Sequence, residues 1–217
     1  ERSMARWLQE TEPDCPVYVA EQPVVDRVVG FPIHRGCLAA CERGEARDST
    51  ALAAALLEDE AAPRIIVLEG LSNHDNVGGI FRNAMALGGR GVILCPQTCD
   101  PLYRKAIRTS MGGSLCVPFA RAADWPVVLG RLRDQGYEVV ALDPGQAGIE
   151  LDAFDARSLG PTALLLGTEG AGLSDAALVY ADHCIRIGME AGVDSLNVSV
   201  AAAIALHSLR DPRPDGS

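Results

Sequence analysis

The sequence predicts an α/β fold, a parallel β-sheet flanked by helices on both faces, with a short N-terminal appendage. Two observations carry this. From Arg64 onward, short runs rich in Ile, Val and Leu alternate with segments of helical pattern. Strands alternating with helices at this spacing imply parallel pairing, because parallel neighbours need a crossover connection. The runs also lack polar alternation, as strands covered on both faces do.

Taken in order, residues 1–23 carry Pro13, Pro16 and Pro23 and no clear period, apart from a segment at 4–8 read as helical. The chain opens at Glu1 without an initiator methionine, which reads as the end of something trimmed or cleaved. A short strand is expected at 24–30 and a short helix at 35–43. Asp48 or Ser49 should cap a further helix through Leu57, ended by Pro63. Residues 1–60 are thus expected to form an extension packed on a main domain spanning 61–217. Within that domain strands are expected at 65–68, 91–95, 115–118, 138–142, 162–166 and 184–187. Helices are expected at 79–87, 102–109, 125–134, 175–180 and 196–209. The last carries Ala201, Ala202, Ala203 and Ala205 among Val198, Val200, Ile204 and Leu206, so it is apolar nearly all round and should be buried.

Composition bounds the function. At 217 residues and 48% hydrophobic content the chain can bury one sizeable core. No run approaches the roughly eighteen apolar residues of a membrane span, and no basic, apolar leader opens the chain. The expectation is a soluble, cytoplasmic protein with no membrane contact. Seven cysteines are scattered without a C-x-x-C pair, and Cys37/Cys41 or Cys95/Cys99 would each supply only two of the four ligands of a zinc site. They are read as buried or incidental thiols, with no metal. The net charge of -10 excludes a protein that coats nucleic acid through its overall field, while leaving room for a local basic patch.

Several polar groups sit where strands should end. In 70–84, Asn76 and Arg82 follow the first strand, read either as a helix cap with a surface arginine or as site residues. Dinucleotide and P-loop motifs both fail: this loop offers only Gly78-Gly79, and the sole lysine, Lys105, is not in a glycine-rich loop. In 100–113, Arg104 and Arg108 lie four apart with Lys105 beside them, the densest basic patch of an acidic chain. That charge background favours phosphate contact over a merely solvated face. Glu169 stands among glycines, able to cap the helix near Ser174 or Asp175 or to hold an arginine. Ser195 and Asn197 open the last helix. Two adjacent strand ends, at 167–174 and 187–197, would form one pocket, because open α/β sheets bind ligands at the carboxyl ends of their strands.

Three blocks together resemble the SpoU (TrmH-type) family of RNA ribose methyltransferases of the SPOUT superfamily. They are Asn76-Val77-Gly78-Gly79-Ile80-Phe81-Arg82-Asn83-Ala84, then Leu166-Gly167-Thr168-Glu169-Gly170-Ala171-Gly172-Leu173, and then Ile187-Gly188-Met189 with Asp194-Ser195-Leu196-Asn197-Val198-Ser199-Val200-Ala201. The stretch from Ile107 to Pro118 is also similar. Gly188 departs from a frequent proline. Relatives often carry an N-terminal ribosomal-protein-like domain that binds substrate, for which residues 1–60 are too short. The resemblance implies a C-terminal trefoil knot, an exception to the usual rules of chain connection. It implies S-adenosylmethionine as cofactor, held near Leu142, Gly167, Thr168, Gly170, Ile187, Met189 and Leu196, and a homodimer formed through the C-terminal helix.

The reaction implied is attack of a ribose 2'-hydroxyl of rRNA or tRNA on the sulfonium methyl group, with no metal required. By resemblance Arg82 is the central catalytic group, and Asn76, Glu169, Ser195 and Asn197 arrange the site. RNA phosphates would meet Arg104, Lys105 and Arg108. A guanidinium holds its proton at neutral pH, so Arg82 is read as a phosphate and alkoxide stabiliser, a desolvated arginine base being the alternative. Asn76 and Glu169 would then hold Arg82 or the ribose. The competing function is a non-catalytic RNA- or cofactor-binding protein with the same knotted fold. A nicotinamide-dependent oxidoreductase is disfavoured by the missing fingerprint.

Overall fold

In Arg64–Leu68 (β1), Ile65, Ile66, Val67 and Leu68 are all buried, and their β-branched side chains suit a pleated surface covered on both sides. The structure, a computed structural model, describes residues 18–32, 39–58, 62–145, 148–193 and 195–209. The other strands are Gly89–Leu94 (β2), Phe119–Arg121 (β3), Glu138–Leu142 (β4), Ile149–Glu150 (β5), Thr162–Leu166 (β6) and His183–Arg186 (β7). They form one seven-stranded sheet in the order β3-β2-β1-β6-β4-β7-β5, parallel at every junction. The α/β expectation therefore holds. β2 and β3 lie to one side of β1 while β6 and β4 lie to the other, so the chain changes direction across the sheet at β1. A crevice outside such a reversal is where open α/β sheets take their ligands.

The helices are Gln22–Val29 (α1), Ser49–Leu56 (α2), His74–Leu87 (α3), Arg104–Thr109 (α4), Gly113–Cys116 (α5), Val127–Asp134 (α6), Asp175–Leu178 (α7) and Val198–Ser208 (α8). Alternate residues of each strand feed two cores. On one face Ile66, Leu68, Leu94, Val140, Leu164, Leu166 and Ile185 meet Val77, Ile80 and Phe81 of α3 and Ala202, Ala205 and Leu206 of α8. On the other, Ile65, Val67, Ile93, Val139 and Leu165 meet Ala53 of α2 and Val128, Leu129 and Leu132 of α6. Each such fully buried Leu or Ile stabilises the fold by about 1.5–3 kcal/mol before entropy is counted.

Several expected elements fall elsewhere. The strand expected at 24–30 is helix α1. Pro23 occupies its first turn, where a missing N-H costs nothing, and Gly30 closes it in the left-handed region at φ 83° with its N-H on Asp26 O at 2.9 Å. Its four valines weigh toward strand by propensity, yet they recur at helical spacing. The strand expected at 115–118 is mostly the short helix α5. Met111 at φ 52° and Gly112 at φ 85° turn the chain into it, and pairing with β2 resumes only at Pro118, whose carbonyl accepts from Val92 N. Helix α3 begins five residues before the expected 79, and its cap is Asn73, not Asn76: Asn73 Oδ1 accepts from Asp75 N at 2.8 Å. Helix α2 is capped by Asp48 as expected. Strand β5 has two residues, too few to leave a pattern.

Helix α8 buries Val198, Ala202, Ala205 and Leu206, but Val200 and Ile204 are 47% and 37% exposed, so the expected burial on all sides does not occur within this chain. The helix expected at 35–43 lies partly outside the described residues, and 39–43 form no regular element. The segment at 4–8 lies outside them altogether. The chain divides into two compact units, Glu1–Gly44, which includes α1, and Glu45–Ser217, which includes the sheet. No helix among the described residues is long and apolar enough to cross a membrane.

Candidate functional site

Register sets the site. Leu68 pairs with Leu166, Leu166 with Leu142 and Leu142 with Ile185, so four strands end together on one edge of the sheet. The loops leaving β1, β6 and β7 meet there. From β1 the chain runs into α3, whose first turn carries Asn76, only 6% exposed. From β6 a tight loop folds back on itself: Thr168 N donates to Gly172 O at 3.1 Å and Gly172 N to Thr168 O at 3.0 Å. A Cβ on Gly167 would lie 2.3 Å from the carbonyl carbon of Gly172, so only glycine permits that approach. The loop presents exposed Glu169 at its turn. From β7 the chain returns at Asn197, the N-cap of α8.

Asn197 binds these loops together. Its Oδ1 accepts from Ser199 N at 3.0 Å, Val200 N at 3.4 Å and Ser199 Oγ at 2.7 Å. With the carbonyl end committed to the helix, Nδ2 faces away and donates to Asn76 Oδ1 and Glu169 Oε1, both at 2.8 Å. Glu169 Oε1 also accepts from Val198 N at 3.3 Å. The first three N-H groups of α8 are thereby all satisfied, and the carboxylate stands at the positive end of the helix. Behind them Asn83 Nδ2 donates to Ser199 O at 2.6 Å, and Gly79 lets α3 and α8 touch, since a Cβ there would lie 2.9 Å from Ser199 Oγ.

The structure therefore joins Asn76, Glu169 and Asn197. Arg82 is exposed on α3 and makes no hydrogen bond or ion pair with any described residue; Asn76 and Glu169 hold Asn197 instead of it. Ser195 is exposed and bonds no described residue, and Asp194 lies outside those described. Leu142 ends β4, Gly167, Thr168 and Gly170 lie in the loop after β6, and Ile187, Met189 and Leu196 lie in the segment after β7. Of these, Leu142, Thr168, Ile187, Met189 and Leu196 are half-buried. Glycine-tightened backbone beside half-open apolar side chains fits a nucleoside-bearing ligand such as S-adenosylmethionine.

Arg104, Lys105 and Arg108 are exposed on α4. Lys105 Nζ, however, lies 2.7 Å from Asp75 Oδ2, and Thr109 Oγ1 donates to Asp75 Oδ1 at 3.1 Å. The Lys105 contact foremost, with help from Thr109, holds the Asp75 carboxyl below its ordinary value. This lysine is thus partly neutralised by a residue thirty positions away. Sequence reasoning also passed over Glu69, which accepts from Trp125 Nε1 at 2.8 Å and from Ser174 Oγ at 2.7 Å and N at 2.9 Å, tying the end of β1 to the start of α7. Its signal is a carboxylate directly after the apolar run 65–68. Asn83 lay inside a quoted block without a role. Among the described residues no group of three or more His, Cys, Asp or Glu is placed to hold a metal ion.

Known proteins resemble this chain in sequence and in fold. An uncharacterized tRNA/rRNA methyltransferase of Mycobacterium tuberculosis is 44% identical over 194 residues, which cover 89% of this chain and 65% of that protein. Among solved structures, the AdoMet-bound rRNA methyltransferase from Sinorhizobium meliloti superposes with a TM-score of 0.64 at 32% identity, covering 70% of this chain and 57% of its own. The SpoU methyltransferase AviRb from Streptomyces viridochromogenes, in complex with AdoMet, superposes with a TM-score of 0.66 at 27% identity, covering 76% and 64% respectively. The chain thus spans less than two thirds of each of these relatives. The model of the SpoU rRNA Methylase family matches residues 63–207, the whole sheet and every loop of the site, and the chain belongs to that family.

Proposed function

We propose that this chain methylates RNA on a ribose 2'-hydroxyl of rRNA or tRNA, with S-adenosylmethionine as donor and residues 61–217 as the methyltransferase part. The observation that carries the reading is the Asn76-Asn197-Glu169 network, which draws three loops to one strand edge within two turns of exposed Arg82 on α3. The cofactor supplies a methyl group on a sulfonium whose departure leaves a neutral thioether, so no metal is needed to stabilise a leaving group. The loop 167–172 and the half-buried Leu142, Ile187, Met189 and Leu196 would hold it. A trefoil knot through these segments belongs to the same proposal.

The protein's own work is alignment, charge and proton removal. Arg82 lacks a partner among the described residues, so its guanidinium is available to the phosphate next to the target ribose and to the oxygen that gains negative charge. A guanidinium offers donors only, so the hydroxyl proton leaves to phosphate or water. Glu169 and Asn76 act through Asn197 by fixing the loops against which the ribose is placed, and exposed Ser195, two residues before Asn197, bonds no described residue. Val200 and Ile204, exposed on an otherwise apolar helix, support a homodimer through α8. An Ile204→Glu variant is expected to sediment as a monomer where the wild type sediments as a dimer.

The test of the reaction is transfer of labelled methyl to ribosomal and transfer RNA followed by alkaline hydrolysis. A methylated 2'-oxygen cannot attack its own phosphodiester, so label is expected in alkali-resistant dinucleotides. Label in mononucleotides would mean base methylation and overturn the ribose assignment. Absence of both transfer and cofactor binding would favour a non-catalytic protein.

A further inference from the structure

Tyr103 and His74 form an aromatic pair that core packing does not account for. Their ring centroids are 4.4 Å apart at 44°, yet Tyr103 is 56% exposed, and its hydroxyl bonds no described residue. The tyrosine is nonetheless held in place. Leu102 N donates to Asp100 Oδ1 at 2.9 Å and Tyr103 N to Asp100 O at 3.2 Å, while Cys99 N donates to Leu71 O at 2.8 Å, tying this loop to the one after β1. The Arg121 guanidinium gathers the carbonyls of Cys95, Pro96 and Thr98 within 3.0 Å, stiffening the same loop from behind. His74 opens α3 two residues before Asn76 of the polar network. Arg104 and Arg108 follow Tyr103 along α4, both exposed.

A rigid, exposed ring with cations within a turn or so has the layout of a base-stacking site: the ring takes a nucleobase face and the guanidinium groups take phosphates of the same strand. Bases inside a duplex keep both faces in the stack and cannot use such a ring. We propose that Tyr103, backed by His74, is the platform on which an unpaired nucleobase of the RNA stacks, so that the enzyme takes its target from a loop, bulge or single strand rather than from a continuous helix. This rests on the reading of the chain as an RNA methyltransferase and adds to it the class of RNA recognised.

The test uses the full chain and a single-stranded oligoribonucleotide carrying 2-aminopurine, whose fluorescence is quenched by stacking. The wild type is expected to quench it and to prefer it to a blunt duplex of the same sequence. Tyr103→Ala should weaken single-strand binding by about 5- to 100-fold and abolish the quench. Tyr103→Phe, which keeps the ring, should stay within about threefold of wild type. Calorimetric affinity for S-adenosylmethionine should be the same in all three, which separates a lost platform from a lost fold. Tyr103→Ala binding and quenching like wild type, in an enzyme that still methylates RNA, would overturn the platform and leave the functional reading standing. Tyr103→Phe as damaging as alanine would also overturn it, since the hydroxyl would then be the contact. A wild type that neither binds RNA nor transfers methyl would sink the functional reading and the platform together.

Discussion

Asn197 uses both ends of one amide, and the two uses can be separated by substitution. Asn197→Asp keeps acceptor oxygens for Ser199 N and Val200 N, so the cap of α8 survives. It replaces the donor facing Asn76 Oδ1 and Glu169 Oε1 with an oxygen, and three acceptors then confront one another. Methyl transfer is expected to fall by at least about tenfold with the unfolding midpoint little moved, because the charge suits the helix N-terminus. Asn197→Ala loses both roles, and its unfolding free energy should drop by about 1–2 kcal/mol in urea titration. Wild-type kinetics for Asn197→Asp would show that the network is structural only. Arg82→Lys asks a parallel question: loss of the planar fork should lower turnover by about a hundredfold, and near-normal turnover would leave only positive charge as the requirement. Polar residues at strand ends made Asn76, Glu169 and Asn197 legible from sequence. Their bonds were not, because Asn76 and Asn197 are 121 positions apart and meet only once β6 lies beside β1.

At the level of elements, apolar content located most strands and helical crossings hid the rest. β4 and β6 fall where their runs of buried residues predict, since burial on both faces leaves no ambiguity about where the polar flanks begin. Helix α3 starts before the expected 79 and runs through Gly78 and Gly79, which are contact points with neighbouring helices. A Cβ on Gly78 would lie 2.6 Å from Ala106 O on the backbone of α4. Gly78→Ala is therefore expected to destabilise by about 1–3 kcal/mol through overpacking, even though alanine is the better helix former by roughly 1 kcal/mol. A gain in stability in thermal unfolding would show that α4 yields freely. The opposite edge of the sheet carries a pH-sensitive junction. Glu138 Oε1 accepts from Gly160 N at 2.9 Å and Oε2 lies 3.0 Å from His183 Nε2, bridging β4, β7 and the turn before β6. The Gly160 N-H foremost, then His183, hold the Glu138 carboxyl below its ordinary 4.5. A depressed folded-state value means stability present above pH 4.5 and lost as pH falls through that lower value. The stability difference between wild type and Glu138→Gln should accordingly shrink as pH drops below about 4.5, and a difference independent of pH would show that the carboxylate charge is immaterial.

At the scale of the whole molecule, the proposed function asks an acidic protein to hold a polyanion. The net charge of -10 repels RNA at a distance, so attraction has to come from a few cations placed close to the phosphates. The sequence reading offers Arg82 beside Arg104, Lys105 and Arg108, and the fold partly neutralises Lys105 by pairing it with Asp75. Two or three phosphates neutralised on a single strand give a slope of log affinity against log salt of roughly -1.4 to -2, against -5 or steeper for a protein making many such contacts. A titration of single-stranded RNA from low to moderate salt should return the shallow value, and Asp75→Asn, which releases Lys105, should steepen it by about 0.7. A wild-type slope near -5 would mean that a further basic face takes part, and residues beyond the strand edge would then have to supply it.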